Sequence, residues 1–379
     1  MDDATLQLAA PKHRGPARLL VVWLWVIALA ACYAPFLANG LPFQSFNYDS
    51  SFPMFAAMSV LDWYLVLAPI LLTVWSITKR SRTIAAVILL AGIVCATTTT
   101  LAPPRFPPIN VSPTGAERFT LVPWSPAERL NDRNCASLPP GSTSSDPLHS
   151  GDGTPGMWWK NDQPYYLGTD ALGQDVLSNL IWGCRTALGV GLVATVVALS
   201  IGILVGALAG WLGGWPDALL LGAIQVFKGV PVLVLLVAAA GVLPRSSLVM
   251  TGVIACFTWT TPARLVRAEV MRVKSLDFVL AARAAGLPTR AILLRHVLPS
   301  ALSPVRVEAG FIFAAAILAE ATLSFLGLAP EDQASWGRLI ASSVGESGGF
   351  HWWLAVFPGA AICLTLLAAN SLSERRSAP

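Results

Sequence analysis

Long runs of apolar residues recur along most of the chain. A helix needs about 20 residues to cross the hydrocarbon layer of a membrane, and its backbone polar groups are then satisfied within the segment. The runs therefore predict an all-α polytopic membrane protein, a bundle of about eight transmembrane helices. The predicted spans are residues 19–38, 53–77, 83–102, 186–210, 218–242, 246–263, 305–326 and 353–370.

Basic residues are concentrated in alternate connections between these spans. Lys and Arg occur before the first span, between the second and third, between the sixth and seventh, and after the eighth. Short basic connections stay in the cytoplasm. With eight spans and a cytoplasmic N-terminus, all four basic segments lie on the cytoplasmic side, and so does the C-terminus.

This orientation predicts four regions. The polar stretch that is rich in Pro, Ser, Gly and Asp lies outside the cell, and a basic loop lies inside it. The regions are an N-terminal segment with three spans (1–102), an extracytoplasmic loop with an interfacial segment (103–185), a transmembrane core (186–372) that contains a cytoplasmic loop (264–304), and a cytoplasmic tail (373–379).

Composition narrows the possible functions. Charged residues make up 12% of the chain, against about 25% in an ordinary soluble domain, and the mean hydropathy is +0.62. The net charge of +4 is not gathered into a basic, aromatic-lined groove of the kind that binds nucleic acid. All four histidines lie outside the predicted spans, and no cluster with metal-ligand spacing is present. Cys135 and Cys184, in or beside the extracytoplasmic loop, form a disulfide in one interpretation and stay free in the other.

The cytoplasmic loop 264–304 is too polar to span a membrane and much longer than a turn. Its spacing predicts a helix over residues 277–285, ended by Gly286 and a turn at Leu287-Pro288. A second helix is predicted to start with Thr289 as its cap and to end at Pro299. The residues alone leave two interpretations open, a docking surface for a partner protein and an amphipathic hairpin on anionic lipid.

The sequence DFVLAARAAGLPTRAILLRHVLPSALSP, residues 277–304, resembles the EAA coupling loop of ABC importer permeases. The Glu that leads the family pattern is replaced by Leu280. The resemblance implies that this loop docks on an ATPase subunit. The implied coupling residues are Asp277, Ala281, Ala282, Arg283, Gly286, Arg295, His296, Leu298 and Pro299.

Two further segments resemble the dipeptide and oligopeptide (C-type) permeases. YYLGTDALGQDVLSNLIWGCRTAL, residues 165–188, carries the matching residues Gly168, Thr169, Asp170, Gly173, Asp175, Gly183 and Arg185. ILAEATLSFLGL, residues 317–328, with SWGR at 335–338, matches a later segment, and GGWPD at 213–217 matches a short cytoplasmic connection. Glu320 and Ser324 become candidates for the translocation path. For Asp170 and Asp175, helix capping and packing is the main interpretation, and contact with a binding protein is the alternative.

The resemblance implies a six-helix type I core in which one span precedes the extracytoplasmic segment. Three are predicted here, so an additional helix pair is expected in the N-terminal region. Its role does not follow from the sequence.

The implied function is that of a permease subunit in the bacterial inner membrane, which forms half of a path for di- or oligopeptides or a similar small solute. The implied partners are two ATP-binding subunits, a second homologous permease subunit and an extracytoplasmic solute-binding protein. The chain lacks a G-x-x-x-x-G-K-[ST] loop, so it is expected to be no enzyme, to need no cofactor and to leave ATP to its partners. The alternatives are an ion-coupled secondary transporter and a polytopic membrane enzyme.

Overall fold

A computed structural model describes residues 14–38, 58, 62–67, 121–122, 137–143, 164–229, 231–330, 333–344 and 349–375. The predicted span 83–102, most of the span 53–77, most of the loop 103–185 and Cys135 lie outside the described residues.

The described residues are mainly helical. In chain order the helices cover Arg14–Leu37, 62–67, Val176–Leu212, Gly214–Gly229, Val232–Val242, Ser247–Thr258, Thr260–Val273, Asp277–Ala284, Thr289–Ile292, the π-helical Leu293–Val297, Leu298–Ala301, Val305–Phe325, Trp336–Ala341 and Trp352–Arg375. One antiparallel pair of two-residue strands, Ser142–Thr143 and Pro164–Tyr165, has the register Ser142 to Tyr165.

Four helical segments in the described part of the chain are long and apolar enough to cross a membrane. They are Leu19–Leu37, Val176–Leu212, Val305–Phe325 and Trp352–Ser373. These segments coincide with the predicted spans 19–38, 186–210, 305–326 and 353–370. The all-α class is therefore confirmed for the described residues, while the number of eight spans stays a prediction.

Two other predicted spans are interrupted in the structure. The span 218–242 is divided into Gly214–Gly229 and Val232–Val242, with Pro231 in an extended conformation (ψ 125°) before the second helix. Proline has no N–H for the helical ladder and disfavours helix in the residue before it, which explains a break at this position. The span 246–263 is divided at Trp259 into Ser247–Thr258 and Thr260–Val273.

The helix Thr260–Val273 continues ten residues beyond the predicted end of its span at residue 263. Ala263, Val266, Val270 and Val273 are buried at helical spacing, whereas the basic residues of the segment lie on other faces. The helix therefore extends into the predicted cytoplasmic loop 264–304, whose boundary at the membrane stays a prediction. We call this element the basic helix.

The centre of the fold is the helix Val176–Leu212, called here the long helix. Its 37 residues extend about 55 Å, nearly twice the thickness of the hydrocarbon layer. It packs closely on the basic helix through Gly202, Gly206 and Gly210. A Cβ atom at Gly206 would lie 2.3 Å from the carbonyl oxygen of Ala263, so the approach of the two backbones requires glycine there.

The first helix, Arg14–Leu37, packs against the long helix and against the last helix, Trp352–Arg375. Ile27 and Ala31 lie in one buried cluster with Ile317 and Trp336. Trp23 Nε1 also donates a hydrogen bond to Thr365 Oγ1 at 3.4 Å. The first helix is thus part of the same core as the segments after residue 176.

Candidate functional site

The first half of the coupling loop folds as its sequence predicts. The coupling helix, Asp277–Ala284, ends just before Gly286, whose φ is +76°. The Leu287 N–H donates to the carbonyl of Ala282 at 3.2 Å, the six-to-one hydrogen bond of a Schellman motif. Glycine is favoured at position 286 because most side chains would be strained in that backbone conformation.

The second half of the loop departs from the prediction. Pro288, not Thr289, occupies the cap position of the next helix, and no side chain caps it. Pro299 does not end this helix, since helical structure continues to Ala301. A π-helical turn, Leu293–Val297, precedes the proline, and the Leu298 N–H donates to the Leu293 carbonyl. Such a wider turn accommodates a residue that has no N–H and whose ring crowds the preceding turn.

The coupling loop has one buried side and one exposed side. Val279, Ile292 and Val297 are buried against Val266 and Val270 of the basic helix. The implied coupling residues are divided between the two sides. Asp277, Ala281, Arg283, Gly286, Arg295 and Pro299 are exposed, and Ala282, His296 and Leu298 are partly buried. Large apolar side chains also face outward, since Phe278 and Leu280 are 46% and 49% exposed.

Two cations connect this loop to the C-terminal end of the long helix, and a third connects it to the helix that follows, Gly214–Gly229. The guanidinium of Arg283 lies 5.2 Å from the centre of the Trp211 ring, a cation–π distance. Lys274 Nζ donates to the Gly210 carbonyl at 2.9 Å, where the helix dipole favours a positive charge. Arg267 makes a bidentate pair with Asp217, in which Nη2 donates to Oδ2 at 2.6 Å.

The pairing of Arg267 with Asp217 shifts the pKa of both groups. The hydrogen bond from Arg267 lowers the pKa of the Asp217 carboxyl below its usual range, and the carboxylate raises the pKa of the guanidinium. Asp217 belongs to the GGWPD segment that the sequence singled out. Trp211 and Lys274 were not among the predicted coupling residues, and no spacing rule connects Lys274 to a carbonyl 64 positions earlier in the chain.

At the N-terminal end of the long helix, residues 168–175 form a compact turn, called here the outer motif. Gly168 has φ +82°, and a Cβ atom there would lie 2.4 Å from the Leu138 carbonyl oxygen. Thr169 is fully buried, and its Oγ1 accepts from the Leu138 N–H at 2.8 Å. Trp353 Nε1 donates to the Thr169 carbonyl at 3.2 Å, which attaches the motif to the last helix.

The two carboxylates of the outer motif bind backbone N–H groups. Asp170 Oδ1 accepts from Leu172 at 2.9 Å and from Gln174 at 2.8 Å around Gly173, whose φ is +71°. Asp175 is the N-cap of the long helix, and its Oδ2 accepts from the Ser178 N–H at 2.7 Å. Asp175 therefore caps the long helix, as the main interpretation predicts, whereas Asp170 closes the turn before that helix. Contact of either residue with a binding protein stays a prediction.

Glu320 and Ser324 are buried, with 1% and 2% of their surface exposed. Glu320 Oε1 accepts hydrogen bonds from Ser324 Oγ at 2.7 Å and from Ser335 Oγ at 2.9 Å. Ser335 also caps the short helix Trp336–Ala341. The structure thus places both residues in a contact between segments rather than on an open surface, and their part in the translocation path stays a prediction.

A cavity of about 240 Å³ lies between the outer motif and the short helix. Asp170, Gln174 and Asn179 line one side, and Arg338 and Ser342 the other. Arg338 donates to the carbonyls of Pro330 and Gln333. The guanidinium therefore holds the loop before the short helix.

Neither a metal centre nor a disulfide is found at the described positions. They contain no group of three His, Cys, Asp or Glu residues that could hold a metal ion. Cys184 is a free thiol buried in the core cluster, and its Sγ donates to the Leu180 carbonyl at 3.4 Å.

Comparison with known proteins identifies the family. Residues 202–378 match the family described as "Binding-protein-dependent transport system inner membrane component". A putative peptide transport system permease protein of Brucella suis is 35% identical over 212 residues, which cover 55% of this chain and 71% of that protein. The di/tripeptide transport system permease protein DppC of Pseudomonas aeruginosa is 35% identical over 223 residues, 58% of this chain and 73% of the relative.

One further sequence relative agrees with these. The oligopeptide transport system permease protein OppC of Escherichia coli is 34% identical over 211 residues, 55% of this chain and 70% of that one. A solved amino acid ABC transporter is matched with a TM-score of 0.43 and 18% identity, over 52% of this chain and 92% of that one. On the evidence of the sequence relatives, the chain belongs to the permeases of binding-protein-dependent ABC importers, in their dipeptide and oligopeptide group.

Proposed function

We propose that this chain is the permease subunit of a bacterial ABC importer and forms half of a path for di- or oligopeptides or a similar small solute. The observation that carries the proposal is the coupling helix, which is exposed on one face, packs through Val279 on the basic helix and reaches Trp211 of the long helix through Arg283. Its relatives in Brucella, Pseudomonas and Escherichia are named as peptide permeases, which supports the solute class.

The proposed assembly contains two ATP-hydrolysing subunits, a second homologous permease subunit and an extracytoplasmic solute-binding protein. The family description, which names binding-protein-dependent transport, supports the last of these. We place the chain in the inner membrane with eight spans and both termini in the cytoplasm. The basic coupling loop then lies in the cytoplasm, and the outer motif lies on the opposite side.

The exposed face of the coupling helix fits a protein groove better than an anionic lipid surface. Leu280, Ala281 and Ala284 are exposed there, with Phe278 at the edge. Asp277, in the first turn, is the acidic residue of this helix, and the helix's own cation, Arg283, reaches back to Trp211. A helix that binds anionic lipid presents Lys and Arg beside its apolar face. Small and apolar side chains without a cation suit the groove of an ATPase subunit.

The contacts of Arg283, Lys274 and Arg267 provide a path for coupling. A displacement of the coupling helix by the ATPase subunits would pull on Trp211 through Arg283. Movement of the adjoining basic helix would pull on Gly210 through Lys274 and, in the helix after the long helix, on Asp217 through Arg267. That helix, about 55 Å long, would carry the displacement toward the outer motif. Alternation between inward-open and outward-open states would then be a two-state equilibrium that nucleotide binding shifts.

The two alternatives receive less support. An ion-coupled transporter needs ionisable groups in the path, whereas Asp62 is paired with Arg185 and Glu320 is hydrogen-bonded to two serines. A membrane enzyme would stand apart from relatives that are all transport permeases by name.

The test is Gly286→Asp, with Gly286→Asn as the matched control. Asn adopts positive φ far more readily than most side chains and adds no charge, so it should keep the turn. Asp should place a negative charge on the exposed turn beside the docking face. We expect uptake of labelled trialanine by a strain that expresses all partner subunits to be abolished by Asp and largely kept by Asn. An immunoblot of the membrane fraction should show equal amounts of both variants. Normal uptake with Gly286→Asp would count against the coupling role.

A further inference from the structure

One contact joins the helix 62–67 to the core of the permease. This helix is called here the additional N-terminal segment. Asp62 opens the helix 62–67, which lies within the predicted span 53–77 and outside the segments that resemble the C-type permeases. Its Oδ1 forms an ion pair with Nη1 of Arg185 in the long helix. The two side chains are only 11% and 17% exposed.

The helix 62–67 turns one face toward the protein. Asp62 and Val66, one helical turn apart, are 8% and 6% exposed, whereas Tyr64 between them is 41% exposed. Residues four positions apart share a helix face. The carboxylate is therefore placed on the packed face and not directed at a surrounding solvent or lipid.

Arg185 is held by more than the carboxylate. Its guanidinium lies 5.6 Å from the ring centre of Trp182, one turn earlier in the long helix. Trp182 Nε1 in turn donates to the carbonyl of Ala38 at 2.8 Å, directly after the first helix. The same surface of the long helix is thus bound by residues from two places in the N-terminal region.

Asp62 lies in the predicted span 53–77, and Arg185 lies in the long helix immediately before the predicted span 186–210. Both side chains are largely buried, and an unpaired Asp or Arg in such a place is expensive, so each needs a partner. Breaking a buried pair by removing one member is much more costly than replacing both, because the remaining charge is left uncompensated. A pair of this kind is therefore expected to stay together while the surrounding helices move.

We infer that the additional N-terminal segment docks on the long helix through Asp62 and Arg185 and moves with it as one body during transport. The segment is then a fixed part of the permease, which positions the N-terminal third of the long helix. The docking stands on the ion pair alone, whereas the shared motion rests on the transport function proposed above.

Docking is tested by exchanging the charges. Asp62→Arg and Arg185→Asp each leave two like charges at the site, and the double exchange restores an opposite pair. We expect each single variant to reduce the yield of monodisperse protein about tenfold or more, and the double variant to recover most of it. Asp62→Ala should also reduce the yield, and Tyr64→Ala, on the exposed face of the same helix, should not. A full yield with Asp62→Arg would refute the docking, and this measurement does not depend on transport.

Shared motion is tested by cross-linking. Asp62→Cys and Arg185→Cys are combined in a chain whose other cysteines are replaced, and the two thiols are joined with a short bifunctional maleimide. We expect an intramolecular cross-link and an uptake of labelled trialanine within about twofold of the uncross-linked variant, because no relative motion is required. Failure to form the cross-link would contradict docking. Loss of uptake only after cross-linking would contradict shared motion, whereas absence of uptake by the unaltered protein would contradict the proposed function instead.

Discussion

The two ends of the long helix are held by different kinds of contact. At its N-terminal end, carboxylates and glycines within eight residues close a buried turn, and Asp170 and Asp175 bind backbone N–H groups at 2.7 to 2.9 Å. At its C-terminal end, the long side chains of Lys274 and Arg283 reach Gly210 and Trp211 from more than 60 positions away in sequence. The first arrangement is local and made largely of backbone; the second is made of side chains from another segment.

This difference indicates which end can change shape. Hydrogen bonds between a carboxylate and a neighbouring backbone fix φ and ψ directly, so the outer motif has little freedom without losing its cap. The contacts of Arg267, Lys274 and Arg283 depend on side-chain rotamers and can break and re-form at moderate cost. A loop that transmits work from a partner needs such a joint, and the opposite end needs a firm attachment.

The largest expected loss of stability concerns the packing of the long helix on the basic helix. Gly206→Val should drive the long helix away from the basic helix, since even a Cβ atom would lie 2.3 Å from the Ala263 carbonyl oxygen. We expect a loss of about 3 kcal/mol or more in stability and little folded protein. Gly189→Val, in the same helix with open space around it, is the control. Thermal unfolding in detergent measures both, and equal melting temperatures would show that the two helices can separate freely.

A smaller loss of stability is expected in the outer motif, at the N-terminal end of the long helix. Gly168→Ala introduces a Cβ atom 2.4 Å from a backbone oxygen at φ +82°, whereas Gly141, at φ +83°, has nothing within 4 Å. The cost of positive φ is common to both alanine variants. We therefore expect Gly168→Ala to be the less stable by about 2 kcal/mol, which isolates the backbone contact. If the two variants unfold at the same temperature, the outer motif is not a rigid attachment.

A double-mutant cycle measures the interaction between Arg283 and Trp211 at the C-terminal end of the long helix. Arg283→Ala, Trp211→Ala and the double variant should give a coupling free energy of about 1 kcal/mol for a partly exposed cation–π pair. We also expect either single variant to lower the solute transported per ATP hydrolysed, because the coupling helix is then held less firmly. Arg290→Ala, which removes an exposed positive charge from the same loop, is the control for the loss of charge. Strictly additive effects on stability would indicate that the stacked pair transmits nothing.

The smallest effect is a pH dependence of the joint. Because Arg267 lowers the pKa of Asp217, the stabilisation it gives is complete above the ordinary Asp pKa of about 3.9 and is lost as the pH falls through the lowered value. The pair is partly exposed, so less than about 1 kcal/mol is expected. Between pH 5 and pH 3 the wild type should lose stability more steeply than Asp217→Asn. If the stability of the two proteins falls equally with pH, the acid sensitivity arises from other carboxylates.

The sequence was most informative where one physical rule acts over a short stretch. The end of the coupling helix at Gly286 and the cap at Asp175 follow from backbone conformation and from orphan N–H groups, and both are found in the structure. The prediction failed at Pro299, where a π-helical turn accommodates the ring, and it did not include the helix beyond residue 263, where an apolar stripe keeps a basic segment helical. In both cases packing outweighed a local preference.

The sequence by itself determined the membrane class, the family and the local turns, because hydropathy, glycine and capping residues act on their immediate neighbours. Only the tertiary structure decided which distant residues meet. It paired Asp62 with Arg185, placed Arg283 on Trp211 and buried Glu320 among serines. The physical reason is that a charge in an apolar segment must find a partner, while nothing in its own neighbourhood in the sequence says where that partner lies.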